Sequence, residues 1–223
     1  MAEKYTNPVK KLIPSKLETG FQQFLYKHIG KRIPKSATPN QVTLVGALGG
    51  LFAVICTICT NISPIFFLGT IAGVAVHLIA DDLDGYVARS RGMSSRAGAY
   101  FDLITDVLFS TFIILAFGLT PYCSMAIAAF AAPLYGVINV TIMNYIIYFN
   151  EFQFPRLGPI ESHLAYVGAA LMGMIFQDNE ITVFDMELTV IEIVTLIAMI
   201  PMYYEMVRLA VKLFNRLDKK DKE

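Results

Sequence analysis

The chain has 223 residues, 55% of them hydrophobic, no tryptophan and a formal net charge of zero. Its mean hydropathy is +0.55, and it carries repeated apolar runs of about 20 residues, the length that crosses a hydrocarbon core of ~30 Å. That excludes an ordinary soluble domain: the expected fold class is all-α, a polytopic membrane protein, and no nucleic-acid partner is expected.

The first 35 residues are polar and basic, without the apolar centre of a secretory leader. Ser15-Lys16-Leu17-Glu18 fits a capping box. Leu17, Phe21, Phe24, Leu25 and Ile29 then form one apolar stripe on a basic helix that ends near Gly30. This predicts an N-terminal amphipathic helix in the membrane interface; a helix packed on the protein itself is the equal alternative, and the two can coexist. Thr38-Pro39-Asn40 sets a capping residue before a proline at the first helical position, and a first span follows over about 40–59. After the Asn61–Pro64 turn a second span begins near Pro64, runs apolar to Ala80 and continues as helix to about Arg91. The loop 90–96 leads to a third span over about 98–119. A fourth span is expected at about 124–149, a polar loop at 150–157, a fifth span at 158–176, an acidic loop at 177–187, and a sixth span at 188–214 before a charged tail. The resulting division is a segment 1–37 with its juxtamembrane helix, a six-helix transmembrane domain 38–215 and a tail 216–223.

Charge placement supports this count. Of the 18 Lys and Arg residues, eight precede the first span, three lie at 89–96, one is Arg156 and six lie from Arg208 onward. The loops at 60–64, 120–123 and 177–187 carry none, so the positive-inside rule predicts both termini on the cytoplasmic side. Cys56, Cys59 and Cys123 make no disulfide framework, and Cys56-x2-Cys59, inside an apolar run with no second ligand pair, reads as packing.

The stretch 81–106, DDLDGYVARSRGMSSRAGAYFDLITD, lies between two apolar runs. Asp81 and Asp84 are three apart and Asp102 and Asp106 four apart, so on helices each pair projects from one face. Gly85 and Ala88 follow one turn after Asp81 and Asp84, and Gly98 precedes Asp102 by one turn, which leaves room beside both acidic faces. The two faces meet at one membrane level, near the end of one span and the start of the next. Carboxylates gathered at low dielectric repel one another, and such a cluster normally needs divalent cations.

The pattern Asp81-x2-Asp84-Gly85-x2-Ala88-Arg89-x8-Gly98-x3-Asp102-x3-Asp106 resembles the signature of the CDP-alcohol phosphatidyltransferase family, with all eight fixed positions filled over 26 residues. Pro39, Asn40 and Thr43 are similar to the start the family shows before its first span. The resemblance implies a phospholipid-synthesising transferase that moves a substituted phosphate group from a CDP-alcohol to a hydroxyl, releases CMP and works as a homodimer among membrane lipids. It implies Asp81, Asp84, Asp102 and Asp106 as ligands to two Mg²⁺ or Mn²⁺ ions, and Asp106 as general base. It further implies Asp81, Asp84, Gly85, Ala88, Arg89 and Gly98 around the CDP moiety, Arg89 pairing with the diphosphate. Arg156, Glu161 and Asn144 are candidates for the acceptor site, with His163 and Asn139 at related levels. Asp82, about 100° from Asp81, reads as a solvated or Arg-paired acid, Arg91 and Arg96 as headgroup contacts, and Glu192 as solvated at the far end of the last span. CDP-diacylglycerol with a small polar alcohol is the favoured pair; CDP-choline or CDP-ethanolamine with diacylglycerol is the alternative. Outside the family, four aspartates are open to a cation-transport reading. The bacterial inner membrane and the endoplasmic reticulum are not distinguished.

Overall fold

A computed structural model describes residues 11–13, 16–153 and 158–222. The architecture is a bundle of six helices long and apolar enough to cross a membrane. After the short strand β1 (Lys11–Ile13) and the helix α1 (Lys16–His28), the spans are α2 (Pro39–Cys59), α3 (Phe67–Ser90), α4 (Arg96–Gly118), α5 (Met125–Ala131) with α6 (Pro133–Phe149), α7 (Pro159–Phe176) and α8 (Val190–Asp221). The strand β2 (Glu151–Gln153) follows α6, and β3 (Glu180–Val183) and β4 (Met186–Thr189) lie between α7 and α8.

Local chemistry sets the ends of these helices. At α2 a reciprocal box forms: Thr38 Oγ1 accepts from the Gln41 amide at 3.3 Å, and Gln41 Oε1 accepts from the Thr38 amide at 2.9 Å. Ser95 Oγ accepts from Gly98 N at 3.0 Å and starts α4. The fourth span runs over Met125–Phe149 as expected, and its hydrogen-bond ladder lapses only at Pro133, which has no N–H and so divides it into α5 and α6. The last span is longer than expected. Its helix runs unbroken through the charged residues to Asp221, 32 residues in all, or roughly 48 Å at about 1.5 Å per residue.

The site is positioned by the tight pairing of α2 with α3. A Cβ on Gly73 would lie 2.6 Å from the Gly49 carbonyl and 2.7 Å from the Ala53 amide, so only glycine lets the two backbones approach this closely. Cys56 packs against Gly69 across the same seam, in keeping with a packing role. Phe67, Val74, Phe109, Ile113, Phe117, Tyr166 and Ile191 form the main core among α3, α4, α7 and α8, and Ile138, Ile142, Tyr145, Leu209 and Leu213 a second one between α6 and α8.

At the end of the bundle that carries the acidic motif, β1 pairs in parallel with β2. Neither strand was expected. The helix α1 docks on α3: Leu25 is buried, Tyr26 stacks on Tyr86 at 4.7 Å, and Gln22 Nε2 donates to Asp82 Oδ1 at 2.8 Å. Phe24 stays exposed on its outer side, so one helix has both a protein face and an outward apolar residue. Ser15, the expected cap, lies outside the described residues.

At the opposite end the expected acidic loop is instead an antiparallel hairpin, β3 with β4, turned through Phe184 and Asp185 at φ of 50° and 63°. Glu192, expected to be solvated, is buried there. Its Oε1 accepts from Ser124 N at 2.8 Å and its Oε2 from Thr189 N at 2.9 Å, while Thr189 Oγ1 donates to the Tyr122 carbonyl at 2.5 Å. The carboxylate therefore ties the α4–α5 loop to the start of α8. Burial, and then this acid, push the neighbouring Cys123 thiol up to about 12. Replacing Glu192 with Ala strands two amides, at about 1.5–3 kcal/mol for a charge-assisted bond lost. The expected result is a clearly lower thermal midpoint in detergent with KM unchanged.

Candidate active site

Asp81 and Asp84 lie near the end of α3, and Asp102 and Asp106 in the second and third turns of α4. The helices meet so that one oxygen each from Asp81, Asp102 and Asp106 fall within 4.8 Å of one another. Asp84 stands beside this trio, its carboxyl against that of Asp102. Thr43 Oγ1 of α2 donates to Asp84 Oδ2, with the Pro39 carbonyl at 3.2 Å as the alternative acceptor for the same hydrogen. Thr43 thus fixes a motif carboxylate, a role that the sequence reading had not assigned.

Among the described residues no lysine or arginine pairs with any of these four acids. Asp102 Oδ1 is buried without a hydrogen-bond partner. An uncompensated all-carboxylate oxygen set at helix ends fits a hard divalent cation of the Mg²⁺ or Mn²⁺ kind. The basic group that approaches them among the described residues is an imidazole: His77 Nε2 lies 3.8 Å from Asp106 Oδ1. Tyr135 of α6 reaches close enough to feel both Asp106 and Asp81. His77 stands one turn before Asp81 on the same helix face, a spacing legible in the sequence and passed over.

Several neighbours differ from expectation. Asp82 is buried and accepts from Gln22 rather than facing solvent, because α1 covers that side of α3. Arg91 does not reach outward. Its guanidinium donates to the carbonyls of Ile33, Lys35 and Ala37 and clamps the connection before α2. Arg89 is exposed, and its Nη2 donates to Tyr26 Oη at 2.8 Å. The space at Gly85 is taken by that same guanidinium: a Cβ there would lie 2.9 Å from Arg89 Nη1. At Gly98 a Cβ would meet Ser95 Oγ at 3.0 Å and Asn40 Oδ1 at 3.1 Å, so this glycine admits α2 to the start of α4.

Of the acceptor candidates, Arg156 lies outside the described residues. Glu161 Oε2 accepts from Gly158 N at 2.9 Å and caps α7. Asn144 and Asn139 donate to carbonyls of their own helix, Val140 and Tyr135. The structure does not bring Glu161 or Asn144 into bonding contact with the four aspartates. It does bring His163 under them, against His77.

Residues 36–207 match the family model described as CDP-alcohol phosphatidyltransferase. No curated protein matches the chain.

Proposed function

Because this chain belongs to the CDP-alcohol phosphatidyltransferase family, a family of transferases of substituted phosphate groups, we propose that it transfers a phosphatidyl group from CDP-diacylglycerol to the hydroxyl of a small polar alcohol. Membership decides against a cation path. The observation that carries the reading is the cluster of Asp81, Asp102 and Asp106, with oxygens within 4.8 Å and no lysine or arginine paired with them among the described residues. Asp81, Asp84, Asp102 and Asp106 would hold two Mg²⁺ or Mn²⁺ ions. Such ions, when bound, supply charge neutralisation at the diphosphate and at the departing CMP. Thr43 keeps Asp84 turned toward the cluster. Gly85 and Ala88 keep the face of α3 low for the Arg89 guanidinium and the nucleotide together, Gly98 lets Asn40 of α2 stand at the same edge, and Arg89, on its Tyr26 support, offers its guanidinium to the diphosphate. Asp106 accepts the hydroxyl proton as the alcohol attacks phosphorus.

A neutral acceptor is favoured because the chain offers few cations for a phosphorylated one. Arg208 is held in a two-bond pair with buried Glu205 on its own helix, and Glu161 and Asn144 serve helix backbone. The placement of basic residues supports the site and both termini on the cytoplasmic side, with 38–215 as the catalytic domain between the segment 1–37 and the tail 216–223. Homodimerisation is the family's arrangement and is proposed on that ground.

A second reading, CDP-choline or CDP-ethanolamine with diacylglycerol, draws on the apolar cavity beside Tyr135, lined also by Ile114, Phe117, Leu134, Tyr166 and Met199. Its lining suits an acyl chain, whether that of a donor or of an acceptor. Purified protein given radiolabelled CDP-diacylglycerol plus polar alcohols, and in parallel labelled CDP-choline plus diacylglycerol, separates the two. Labelled phospholipid and CMP from the first mixture, only with Mg²⁺ or Mn²⁺ present, are expected. Product from the second mixture alone would overturn the choice.

A further inference from the structure

Two imidazoles lie beneath the acidic cluster. His77 of α3 is 2% exposed and His163 of α7 is 4% exposed. His163 Nδ1 is 2.7 Å from the Pro159 carbonyl. A carbonyl oxygen only accepts, so this nitrogen carries the hydrogen. His77 Nδ1 is 3.1 Å from His163 Nε2. In an uncharged pair one arrangement satisfies both contacts: His163 Nε2 accepts and His77 Nδ1 donates. His77 Nε2 is then bare, and it is the atom that faces Asp106 Oδ1 at 3.8 Å.

The ring is buried and stacks on Phe109 at 3.9 Å, and Gly50 leaves the space that it fills: a Cβ there would come within 2.8 Å of its Cδ2. The other tautomer of His77 would aim an N–H at Asp106. Across 3.8 Å, beyond hydrogen-bond distance, that N–H would still stabilise the charge on the oxygen that receives the proton of the attacking alcohol, and a carboxylate so stabilised is a weaker base.

We propose that His163 is a positioning residue: resting on the reading of Asp106 as general base, it holds His77 in the tautomer with an unprotonated Nε2 and so keeps Asp106 Oδ1 open to the acceptor hydroxyl. No change of charge is involved. The lock is a chain of contacts from the Pro159 carbonyl through two rings to the reacting carboxylate.

His163→Phe keeps an aromatic ring beside Phe109 and Tyr166 and removes the acceptor. It is expected to lower kcat by about tenfold or more, a part of what a well-placed base supplies, with KM for the CDP donor within about twofold. His163→Gln returns a carbonyl acceptor and should recover most of the loss, which a purely packing role would not predict. In ¹⁵N-histidine-labelled native protein, His77 should show an unprotonated Nε2 and a protonated Nδ1, a reading that needs no variant to fold. Native kcat in His163→Phe, failure of His163→Gln to recover, or a protonated His77 Nε2 in the native protein would each overturn the proposal. Asp106→Asn separates the two levels. If it is inactive while His163→Phe is unimpaired, the tautomer lock alone fails; if it keeps native kcat, the assignment of the base fails.

Discussion

Asparagine at position 102 is expected to lower CMP release by about three orders of magnitude, roughly 4 kcal/mol of barrier, while leaving the fold without added cation at least as stable as before. The two effects share one cause. Asp102 has an oxygen within 4.8 Å of oxygens of Asp81 and Asp106, its carboxyl lies against that of Asp84, and its Oδ1 is buried with nothing to bond. Removing its charge relieves repulsion among close carboxylates, so the thermal midpoint of the cation-free protein should stay level or rise. Removing a hard oxygen ligand from the set also weakens the hold on Mg²⁺ or Mn²⁺. In the native chain a saturating cation should raise the midpoint by mass action, about 2.7 kcal/mol at a hundredfold excess over Kd. In Asp102→Asn that rise should largely vanish. A variant that melts earlier and still responds fully to the cation would show that Asp102 is a structural acid rather than a ligand.

The second large effect is expected at Gly85. Alanine there brings a Cβ to 2.9 Å from Arg89 Nη1. The far end of a flexible arginine can give way, so Gly85→Ala should cost about tenfold in donor KM through loss of the Tyr26–Arg89 contact, a change of about 1.4 kcal/mol. Leucine extends further across the same face, fills the ground on which the guanidinium and the nucleotide both depend, and leaves Arg89 no place over α3. Gly85→Leu should therefore raise donor KM by about a hundredfold or more, or remove measurable transfer. Cation-dependent stabilisation should persist, since no carboxylate has been changed. Equilibrium binding of labelled CDP checks this directly. Unaltered binding in Gly85→Leu would mean that the nucleotide lies elsewhere.

Much of this site was legible because its information is local. Asp81, Asp84, Asp102 and Asp106 sit at helical spacing on two spans joined by a short loop, so their convergence follows from hydropathy and periodicity. The boundaries of α2, α3 and α7 follow from Thr38-Pro39, Arg91-Gly92 and Gly158-Pro159 for the same reason. What escaped depends on parts of the chain far apart in sequence. Asp82 points away from the cluster on any helical wheel, but only the docking of α1 turns that position into a buried one. The carbonyls that hold Arg91 come from a segment more than 50 residues earlier. The hairpin β3–β4 turns through Phe-Asp, without the Asn-Gly or Gly that advertises a tight turn, so composition pointed to a loop. Glu192 is different: Thr189-x-x-Glu192 is a capping box in plain sight, and charge drew attention away from it. His77 was likewise readable at one turn before Asp81; its partner on α7 was not.

The length of α8 has a practical consequence. Roughly 48 Å of helix exceeds a hydrocarbon core of ~30 Å, and its last turns are braced by Arg216 on Glu151 and by Lys220 on the Tyr148 carbonyl. The excess, roughly 18 Å, is a stiff stalk rather than a tether. A fluorophore attached near Lys219 would stand at a defined height above the bilayer, and energy transfer to dyed lipids would work as a ruler for how the bundle sits and tilts in its membrane.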